Sequence, residues 1–323
     1  MSKIIVTGAA GFVGSNLIKK LLDEGHRVVG IDNLSFGNLD NMVGFFQNPQ
    51  FEFIQSDIRL PQTLASVKGD CLVHLASQKI PRYTNALITL DDNSVMTKNV
   101  VDKCIHDRIK LVFASTSDIY GKNPDIPYHE KSNIVLGPTT VKRWAYALSK
   151  IHSEHYIIAQ HAENDLEYTI MRFFGSYGPN QNRTWWGGPQ AVFIQNILEG
   201  KTIELHGDGL QTRTFTFVDD TVQGVVKCIF ESKARNEIFN VANHAHEEVS
   251  IKELAYLIWE LMNGSGSTPD IRFIPYETFG NYEDVRRRVP DISKIVNELG
   301  FDPKYSLSDG LERTIEWQKK VFA

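Results

Sequence analysis

A glycine-punctuated turn near the start of the chain constrains its fold more than any other feature. The run Lys3–Thr7 has a β-branched apolar centre, Ile4 to Val6, without alternation, which predicts a strand buried on both faces. Apolar residues at helical spacing follow, after Gly8, Gly11 and Gly14. Glycines at this spacing permit a tight turn, close approach of a pyrophosphate and close packing of the helix on the sheet. The stretch therefore predicts the strand, turn and helix of a dinucleotide-binding fold.

The next apolar run ends in an acidic residue at a position that can bind ribose. Arg27–Ile31 follows the predicted helix, and Asp32 comes eighteen residues after Gly14. A carboxylate there would accept hydrogen bonds from both ribose hydroxyls of an adenosine and would repel a 2′-phosphate. The sequence therefore predicts NAD, and not NADP, as the cofactor.

Composition limits the class of protein. Of the 323 residues, 42% are hydrophobic and 23% are charged, which is typical of soluble globular proteins. The net charge is −5, and no basic stripe is available to neutralise a phosphate backbone, which argues against a nucleic acid as the main partner. Cys71, Cys104 and Cys228 lie far apart, which predicts reduced thiols and neither a disulfide framework nor a metal site. Because no apolar run could span a bilayer, we expect a cytoplasmic protein with no membrane or nucleic-acid partner.

Strand-like and helix-like segments alternate further along the chain. Phe51–Ile54, Cys71–Ser77 and Leu111–Ala114 have the composition of buried strands, and a helix is predicted from about Asn93 to Asp107. This alternation predicts an α/β fold with a doubly wound parallel sheet and a ligand at the carboxyl ends of its strands. Asp57 follows one of these strands, where it could bind the adenine or cap the following helix.

A tyrosine and a lysine four residues apart lie on the next long helix. Tyr146 and Lys150 should project from one face of it. An ammonium group beside a phenol favours the phenolate, so we expect the pKa of Tyr146 to fall towards a range in which it can act as a base. Because the pair follows a dinucleotide-binding fold and the polar run Ser115–Asp118, we interpret it as catalytic.

A loop at about residues 182–190 carries Trp185 and Trp186 side by side. Two interpretations have equal weight. The indoles could stack on a sugar or a base, or they could anchor the loop to a smaller lobe.

Taken together, the motifs resemble those of the extended short-chain dehydrogenases/reductases that modify nucleotide sugars. The shared motifs are Thr7-Gly8-x-x-Gly11-x-x-Gly14, Asp32, Asp57-Ile58, His74 to Ser77, Ser115 to Gly121, Tyr146-x-x-x-Lys150, Tyr177-Gly178-Pro179, Gly207 to Arg213 and Arg288 to Ile292. The resemblance covers nearly the whole chain. It implies a Rossmann-like NAD-binding domain of residues 1–178 with a returning segment at about 214–245. It also implies a smaller C-terminal α/β lobe, of residues 179–213 and about 246–323, that binds the nucleotide sugar.

The resemblance also implies roles for individual residues. Tyr146 would take the proton of the sugar C4 hydroxyl while NAD⁺ accepts the C4 hydride, Lys150 would hold the nicotinamide ribose, and Thr116 would hydrogen-bond the same hydroxyl. The implied catalytic residues are Tyr146, Lys150, Thr116, Ser117 and Asp118. The implied cofactor-binding residues are Gly8, Gly11, Phe12, Val13, Gly14, Asp32, Asn33, Asp57, Ile58, Leu75, Ala76, Ser77, Lys79, Asn93, Tyr146 and Lys150. The implied substrate-binding residues are Lys79, Thr116, Gly175, Gln190, Val192, His206, Arg213 and Arg288, with Gly175 at a position where the family usually has an asparagine.

The reaction depends on Asp118. By resemblance, 4,6-dehydratases carry a glutamate there to remove the C5 proton and an aspartate one residue earlier, where this chain has Ser117. Simple 4-epimerases need no acid at this position. UDP-glucuronate decarboxylases are similar in the Thr-Ser-acid order and in the Arg-Trp-x-Tyr run of Arg143 to Tyr146, but they carry glutamate as the acid. We expect a dehydratase first, a 4-epimerase second and a decarboxylase third, acting on a sugar that is UDP-linked by the weight of the family.

Two further expectations complete the sequence analysis. A non-catalytic NAD-sensing protein is the alternative from another class, although the retention of Thr116, Tyr146 and Lys150 speaks against it. The apolar positions of the helices near Asn93 and Tyr146 exceed what one sheet face would cover, so we expect a homodimer.

Overall fold

The computed structural model of the chain describes residues 1–79 and 85–322. Its strands are β1 (Lys3–Thr7), β2 (Arg27–Asp32), β3 (Phe51–Gln55), β4 (Cys71–His74), β5 (Lys110–Thr116), β6 (Tyr168–Phe173), β7 (Ser176–Tyr177), β8 (Ile203–His206), β9 (Thr212–Thr214), β10 (Thr216–Phe217), β11 (Glu237–Val241), β12 (Glu248–Ser250), β13 (Ile271–Ile274) and β14 (Arg287–Arg288). Its α-helices are α1 (Phe12–Asp23), α2 (Gln62–Ala65), α3 (Ala86–Asp107), α4 (Trp144–Asn164), α5 (Pro189–Leu198), α6 (Val218–Phe230), α7 (Ile251–Asn263), α8 (Ser293–Leu299) and α9 (Leu307–Phe322).

Seven strands form one parallel sheet in the order β3-β2-β1-β4-β5-β6-β11. Both faces of its centre are buried, because Ile4 and Val6 of β1 pack into one apolar cluster and Ile5 packs into another. The direction of strand addition reverses between β1 and β4, and a crevice for a ligand forms at such a switch point. The predicted doubly wound α/β fold is therefore confirmed.

The remaining strands form three small sheets. β7 pairs with β10, β8 pairs with β13, and β9 lies between β12 and β14. Four of the strands outside the large sheet, β8, β12, β13 and β14, fall entirely within the segments 179–213 and 246–323 that the resemblance assigns to a smaller lobe. The chain leaves the large sheet after β6 and returns to it with β11.

Two element boundaries differ from the sequence-based prediction. β4 ends at His74 and not at Ser77. The side chain of Asn93 accepts a hydrogen bond from the backbone N–H of Gln78 (2.8 Å), and this bends the chain away from the neighbouring strands. α3 begins at Ala86, well before Asn93, because the Asn85 side chain accepts a hydrogen bond from the N–H of Leu87 and caps the helix. Within the two described ranges, no helix is both long and apolar enough to cross a membrane.

Candidate active site

A cleft of about 980 Å³ lies at the carboxyl ends of β1, β2, β4 and β5. Most of the residues predicted to act in catalysis or to bind cofactor or substrate line it. They are Gly8, Gly11, Phe12, Val13, Gly14, Asp32, Asn33, Asp57, Ile58, Leu75, Ala76, Ser77, Lys79, Thr116, Asp118, Tyr146, Lys150, Gly175 and Arg288.

The turn after β1 is shaped to accept a dinucleotide. Gly8 has φ +74°, and a Cβ there would lie 2.8 Å from the backbone nitrogen of Ala76. A Cβ on Gly14 would overlap the carbonyl oxygen of Gly8. α1 begins directly after Gly11 with no side-chain cap, so its first N–H groups can bind a pyrophosphate. The residues present therefore fit the predicted cofactor.

Asp32 ends β2 and connects two loops at the cleft wall. Its Oδ2 accepts a hydrogen bond from the N–H of Ala10 (3.0 Å), and its Oδ1 accepts one from Leu34 (2.8 Å). Burial raises the pKa of Asp32, and these two backbone bonds partly oppose the rise. Each carboxylate oxygen can accept more than one hydrogen bond, so ribose binding stays possible beside this structural role.

Asp57 is held by an arginine that sequence reasoning missed. Arg59 lies 2.6 Å from the Asp57 carboxylate and also binds Asp92 (2.9 Å). Its hydrogen bonds are the main reason that the pKa of Asp57 is well below the usual value. The alternative role of Asp57 as a helix cap is wrong, because Pro61 occupies the N-cap position of α2.

Tyr146 lines the cleft, and the hydroxyls of Ser77 and Thr116 lie near enough to its phenol to favour the phenolate. Burial raises the pKa of Tyr146, and the nearby carboxylate of Asp118 raises it further. The two hydroxyls and the guanidinium of Arg288 act in the opposite direction but do not reverse the shift. The expectation of a lowered pKa is therefore wrong for the polypeptide itself.

Lys150 is itself buried. Its ammonium group donates to the carbonyl oxygen of Ala114 (2.8 Å) and lies 4.7 Å from the centre of the Phe113 ring. Burial lowers the pKa of Lys150 to about 7, so it is not a permanent cation beside the phenol. Lys150 nevertheless lines the cleft on the same helix as Tyr146, as the sequence predicted.

Five charged side chains form an alternating row, which we call the arginine–aspartate network. In order they are Arg213, Asp284, Arg143, Asp118 and Arg288. Asp118 lies 2.6 Å from Arg288 and 3.1 Å from Arg143. Burial raises the pKa of Asp118, but the two guanidinium groups outweigh burial and leave it below its usual value. Burial lowers the pKa of Arg288 to about 10, so this residue stays charged at neutral pH.

Several predicted residues lie outside the cleft wall. Asn93 supports the wall from behind, because it binds the backbone of Gln78 and the hydroxyl of Ser149. Ser117 is buried, and its hydroxyl accepts a hydrogen bond from the guanidinium of Arg288 (3.4 Å). The others were implied as substrate-binding residues and are Gln190, Val192, His206 and Arg213.

The surroundings of His206, Val192 and Gln190 differ. His206 is buried with its ring 4.1 Å from Trp185 and 4.5 Å from Phe279. Val192 lines a second, smaller pocket that also includes Trp185. The Gln190 side-chain amide is buried, and its nitrogen has no hydrogen-bond partner in the described part of the chain. Their roles in binding a nucleotide sugar stay predictions.

Gly175, the departure from the family pattern, has a local cause. Its φ is +50°, and a Cβ there would lie 2.9 Å from both the Phe215 ring and the carbonyl oxygen of Thr214. An asparagine would therefore have to displace the Phe215 ring. The position lines the cleft, so glycine leaves that part of the wall to the backbone.

Sequence reasoning gave no role to several other residues at the cleft. Arg143 stands three residues before Tyr146, and the Arg-Trp-x-Tyr run that resembles decarboxylases was the signal for it. Phe36, Trp186 and Tyr282 also line the cleft, although only the tryptophan was noticed in the sequence.

Comparisons with known proteins agree with this geometry. The model of the NAD-dependent epimerase/dehydratase family matches residues 4–242. A UDP-N-acetyl-alpha-D-glucosaminuronate decarboxylase of Bacillus cytotoxicus is 31% identical, over 99% of this chain and 98% of its own.

Solved structures are similar over the same extent. Pal from Bacillus thuringiensis has a TM-score of 0.88 and 30% identity, with 99% of both chains covered. The UDP-glucuronic acid 4-epimerase of Bacillus cereus, solved with UDP-glucuronic acid and NAD, has a TM-score of 0.86 and 29% identity, again with 99% of both chains covered. The cofactor of the cleft is therefore NAD, as predicted.

Proposed function

The chain belongs to the NAD-dependent epimerase/dehydratase family, and from that premise we propose that it decarboxylates a UDP-linked uronic acid. The observation that carries the proposal is the arginine–aspartate network. Three guanidinium groups face two carboxylates in it, so one positive charge is left for a ligand. A substrate carboxylate fits this imbalance, because arginine binds carboxylates through paired hydrogen bonds.

The position of the network supports a carboxylate at sugar C6. Asp118 and Arg288 both act on the pKa of Tyr146, so the network adjoins the phenol that would take the C4 proton. Because C6 is only two carbons from C4, we expect a C6 carboxylate to face Arg288, which lines the same cleft. The Bacillus cytotoxicus relative is named for a uronate, and the Bacillus cereus structure holds UDP-glucuronic acid.

The proposed reaction starts with oxidation at C4. NAD⁺, held by the Gly8–Gly14 turn and Asp32, supplies reversible acceptance of a hydride. Tyr146 takes the proton of the C4 hydroxyl, and the nearby hydroxyls of Ser77 and Thr116 favour the phenolate. With a ketone at C4, the C6 carboxylate belongs to a β-keto acid. Its C5–C6 bond breaks, carbon dioxide leaves, and the electron pair moves onto the C4 oxygen as an enolate. Protonation at C5 and reduction at C4 then give a UDP-pentose.

This chemistry suits Asp118 better than dehydration does. Dehydration needs a base to remove the C5 proton and an acid for the departing C6 hydroxyl. Asp118 is a weak base, because two arginines lower its pKa, and Ser117 stands where dehydratases have the acid. Decarboxylation needs no base at C5. The second candidate is 4-epimerisation of the same uronic acid, which the similarity to the Bacillus cereus epimerase favours.

Product analysis tests the proposal. The protein would be incubated in deuterium oxide with UDP-glucuronate, UDP-N-acetylglucosaminuronate and the matching neutral UDP-sugars. We expect carbon dioxide and a UDP-pentose with deuterium at C5, from a uronate only. An isobaric product without solvent label would favour the epimerase, and loss of water from a neutral sugar would favour the dehydratase.

We further propose that the active form is a homodimer in the cytoplasm. α3 and α4 pack side by side on one face of the large sheet and leave apolar side chains exposed. These are Leu87, Ile88 and Val95 on α3 and Leu148 and Ile158 on α4. A second copy that presents the same helices would bury them. The three cysteines are buried free thiols, which fits a reducing compartment.

A further inference from the structure

Two aromatic side chains from distant segments meet at the mouth of the cleft. Phe36, four residues after Asp32, lies 4.4 Å from Trp186, measured between ring centres, with the planes inclined by 33°. Both rings line the cleft, and no residue implied by the sequence for catalysis takes part in the contact. The contact therefore connects the NAD-binding side of the cleft to the loop before α5.

The loop that carries each ring is held in place by hydrogen bonds and packing contacts. The loop of Phe36 is tied to the glycine turn, because the N–H of Asn38 and the side chain of Asn41 both donate to the carbonyl oxygen of Ala10 (3.0 Å each). The same loop packs closely against Asp32, since a Cβ on Gly37 would lie 2.9 Å from its carboxylate. Phe36 is thus held next to the position that binds the adenosine ribose.

Trp186 lies on loop 182–188, which is attached on its other side. Trp185 packs between His206 (4.1 Å) and the edge of Phe193, and this anchors the loop to α5 and β8. Arg183 donates to the carbonyl oxygen of Val321 at the end of α9 (3.3 Å). The adjacent tryptophans therefore have different roles. Trp185 anchors the loop, and Trp186 contacts Phe36 on the other side of the cleft.

The contact across the mouth is slight. Phe36 is 47% exposed, and the contact consists of one pair of rings, whereas the bases of both loops are held by several bonds. This contact can therefore break while the hydrogen-bonded parts of both loops stay in place. We infer that Phe36 and Trp186 form a clasp that closes the cleft over bound NAD, so that release of the cofactor requires loop 182–188 to open.

Under the proposed function, slow release of the cofactor would be an advantage. The proposed cycle oxidises a sugar and then reduces it again. If the reduced cofactor leaves before the second step, the keto sugar stays in the site and cannot be reduced. A slow release rate prevents this loss. The clasp itself does not depend on which reaction follows, because every reaction considered for this cleft returns the hydride to the sugar.

The experiment measures cofactor release without any sugar, so that it stays informative if the decarboxylase proposal fails. Protein loaded with NADH is mixed with excess NAD⁺, and the decay of NADH fluorescence gives the dissociation rate. The variants are Phe36→Ala, Trp186→Ala, both together, and Trp186→Phe. The control is Phe46→Ala, an aromatic residue of the same segment with similar exposure (44%) that does not line the cleft.

We expect each alanine variant to release NADH about three- to tenfold faster, the range that loss of one aromatic pair predicts. The double variant should be no faster than the faster single one, because both changes remove the same contact. Trp186→Phe and Phe46→Ala should stay close to the unmodified protein. Unchanged rates in the folded alanine variants, additive effects in the double variant, or an equal effect of Phe46→Ala would overturn the inference.

Discussion

The carboxylate of Asp118 lies 2.6 Å from the guanidinium of Arg288, at the cleft wall and within electrostatic reach of the Tyr146 phenol. Arg143 binds the same carboxylate oxygen at 3.1 Å. The acid that would perform C5 chemistry in a dehydratase is thus engaged as a counterion. Its partners, not the acid itself, are the groups that can meet a charged substrate.

Replacing Arg288 should weaken binding of an acidic sugar more than binding of a neutral one. We expect Arg288→Met to raise KM for the UDP-uronate about tenfold to a hundredfold, because one charge-assisted interaction is lost. The inhibition constant of UDP-glucose should change much less. Arg287→Met is the matched control, since Arg287 is exposed and pairs with Glu248. Equal losses for both sugars would place Arg288 on the diphosphate instead.

Removing the phenol oxygen of Tyr146 should stop C4 oxidation but leave NAD bound. We expect Tyr146→Phe to reduce turnover about a hundredfold to ten-thousandfold, because the ring still packs while the proton acceptor is gone. Absorbance of bound cofactor and single-turnover kinetics would measure the two effects. Tyr156→Phe, on the same helix but away from the cleft, should change neither. Retained turnover would remove Tyr146 from its role.

Asp32 should exclude NADP by charge repulsion. Calorimetric titration of the apoprotein should give at least tenfold tighter binding of NAD than of NADP. Asp32→Asn should narrow this difference and also lower the melting temperature, because the carboxylate accepts the N–H groups of Ala10 and Leu34. Equal affinity of the unmodified protein for both cofactors would show that Asp32 only stabilises the two loops and does not select the cofactor.

His74 should make the fold sensitive to acid. It is buried beside the Thr7 hydroxyl (2.8 Å), and burial lowers its pKa to about 3 from an ordinary value of 6.5. The unfolded chain therefore binds a proton at His74 between these two pH values when the folded chain does not. Stability should fall as the pH drops from 6.5 towards 3. Urea midpoints measured across this range should fall less steeply for His74→Asn, and parallel curves would contradict the assignment.

A charge on the exposed face of α3 and α4 should separate the proposed dimer. Val95 is 44% exposed and Leu148 is 48% exposed. We expect Val95→Glu or Leu148→Glu to convert a dimer into a monomer in sedimentation experiments, because a buried unpaired carboxylate is costly. Val43→Glu, on an exposed position elsewhere, is the control. A monomeric unmodified protein would refute the dimer itself.

The parts of the site that sequence could predict are local. The strand, turn and helix at the start and the Tyr146–Lys150 pair each lie within one short segment, where spacing alone determines geometry. The arginine–aspartate network could not be found this way. Arg143 and Asp284 are 141 positions apart, and Arg213 and Asp284 are 71 apart, so only the folded chain brings them together.

The pKa of Tyr146 illustrates a second limit. Spacing correctly placed the lysine on the same helix, but it carried no information on burial. The direction of the shift depends on how much water the fold excludes and on the nearby carboxylate of Asp118. Such quantities belong to the packed core and not to any one motif.

The return of the chain to the large sheet with β11 has a consequence for engineering. Asn240 of this strand accepts a hydrogen bond from the Tyr120 hydroxyl and donates to the carbonyl oxygens of Tyr128 and Asp291. These partners come from both sides of the strand in sequence. A C-terminal deletion that begins before residue 237 would expose the edge of β6, so the predicted lobes cannot be separated by a single cut. A chimera that exchanges specificity with a relative would need several coordinated junctions.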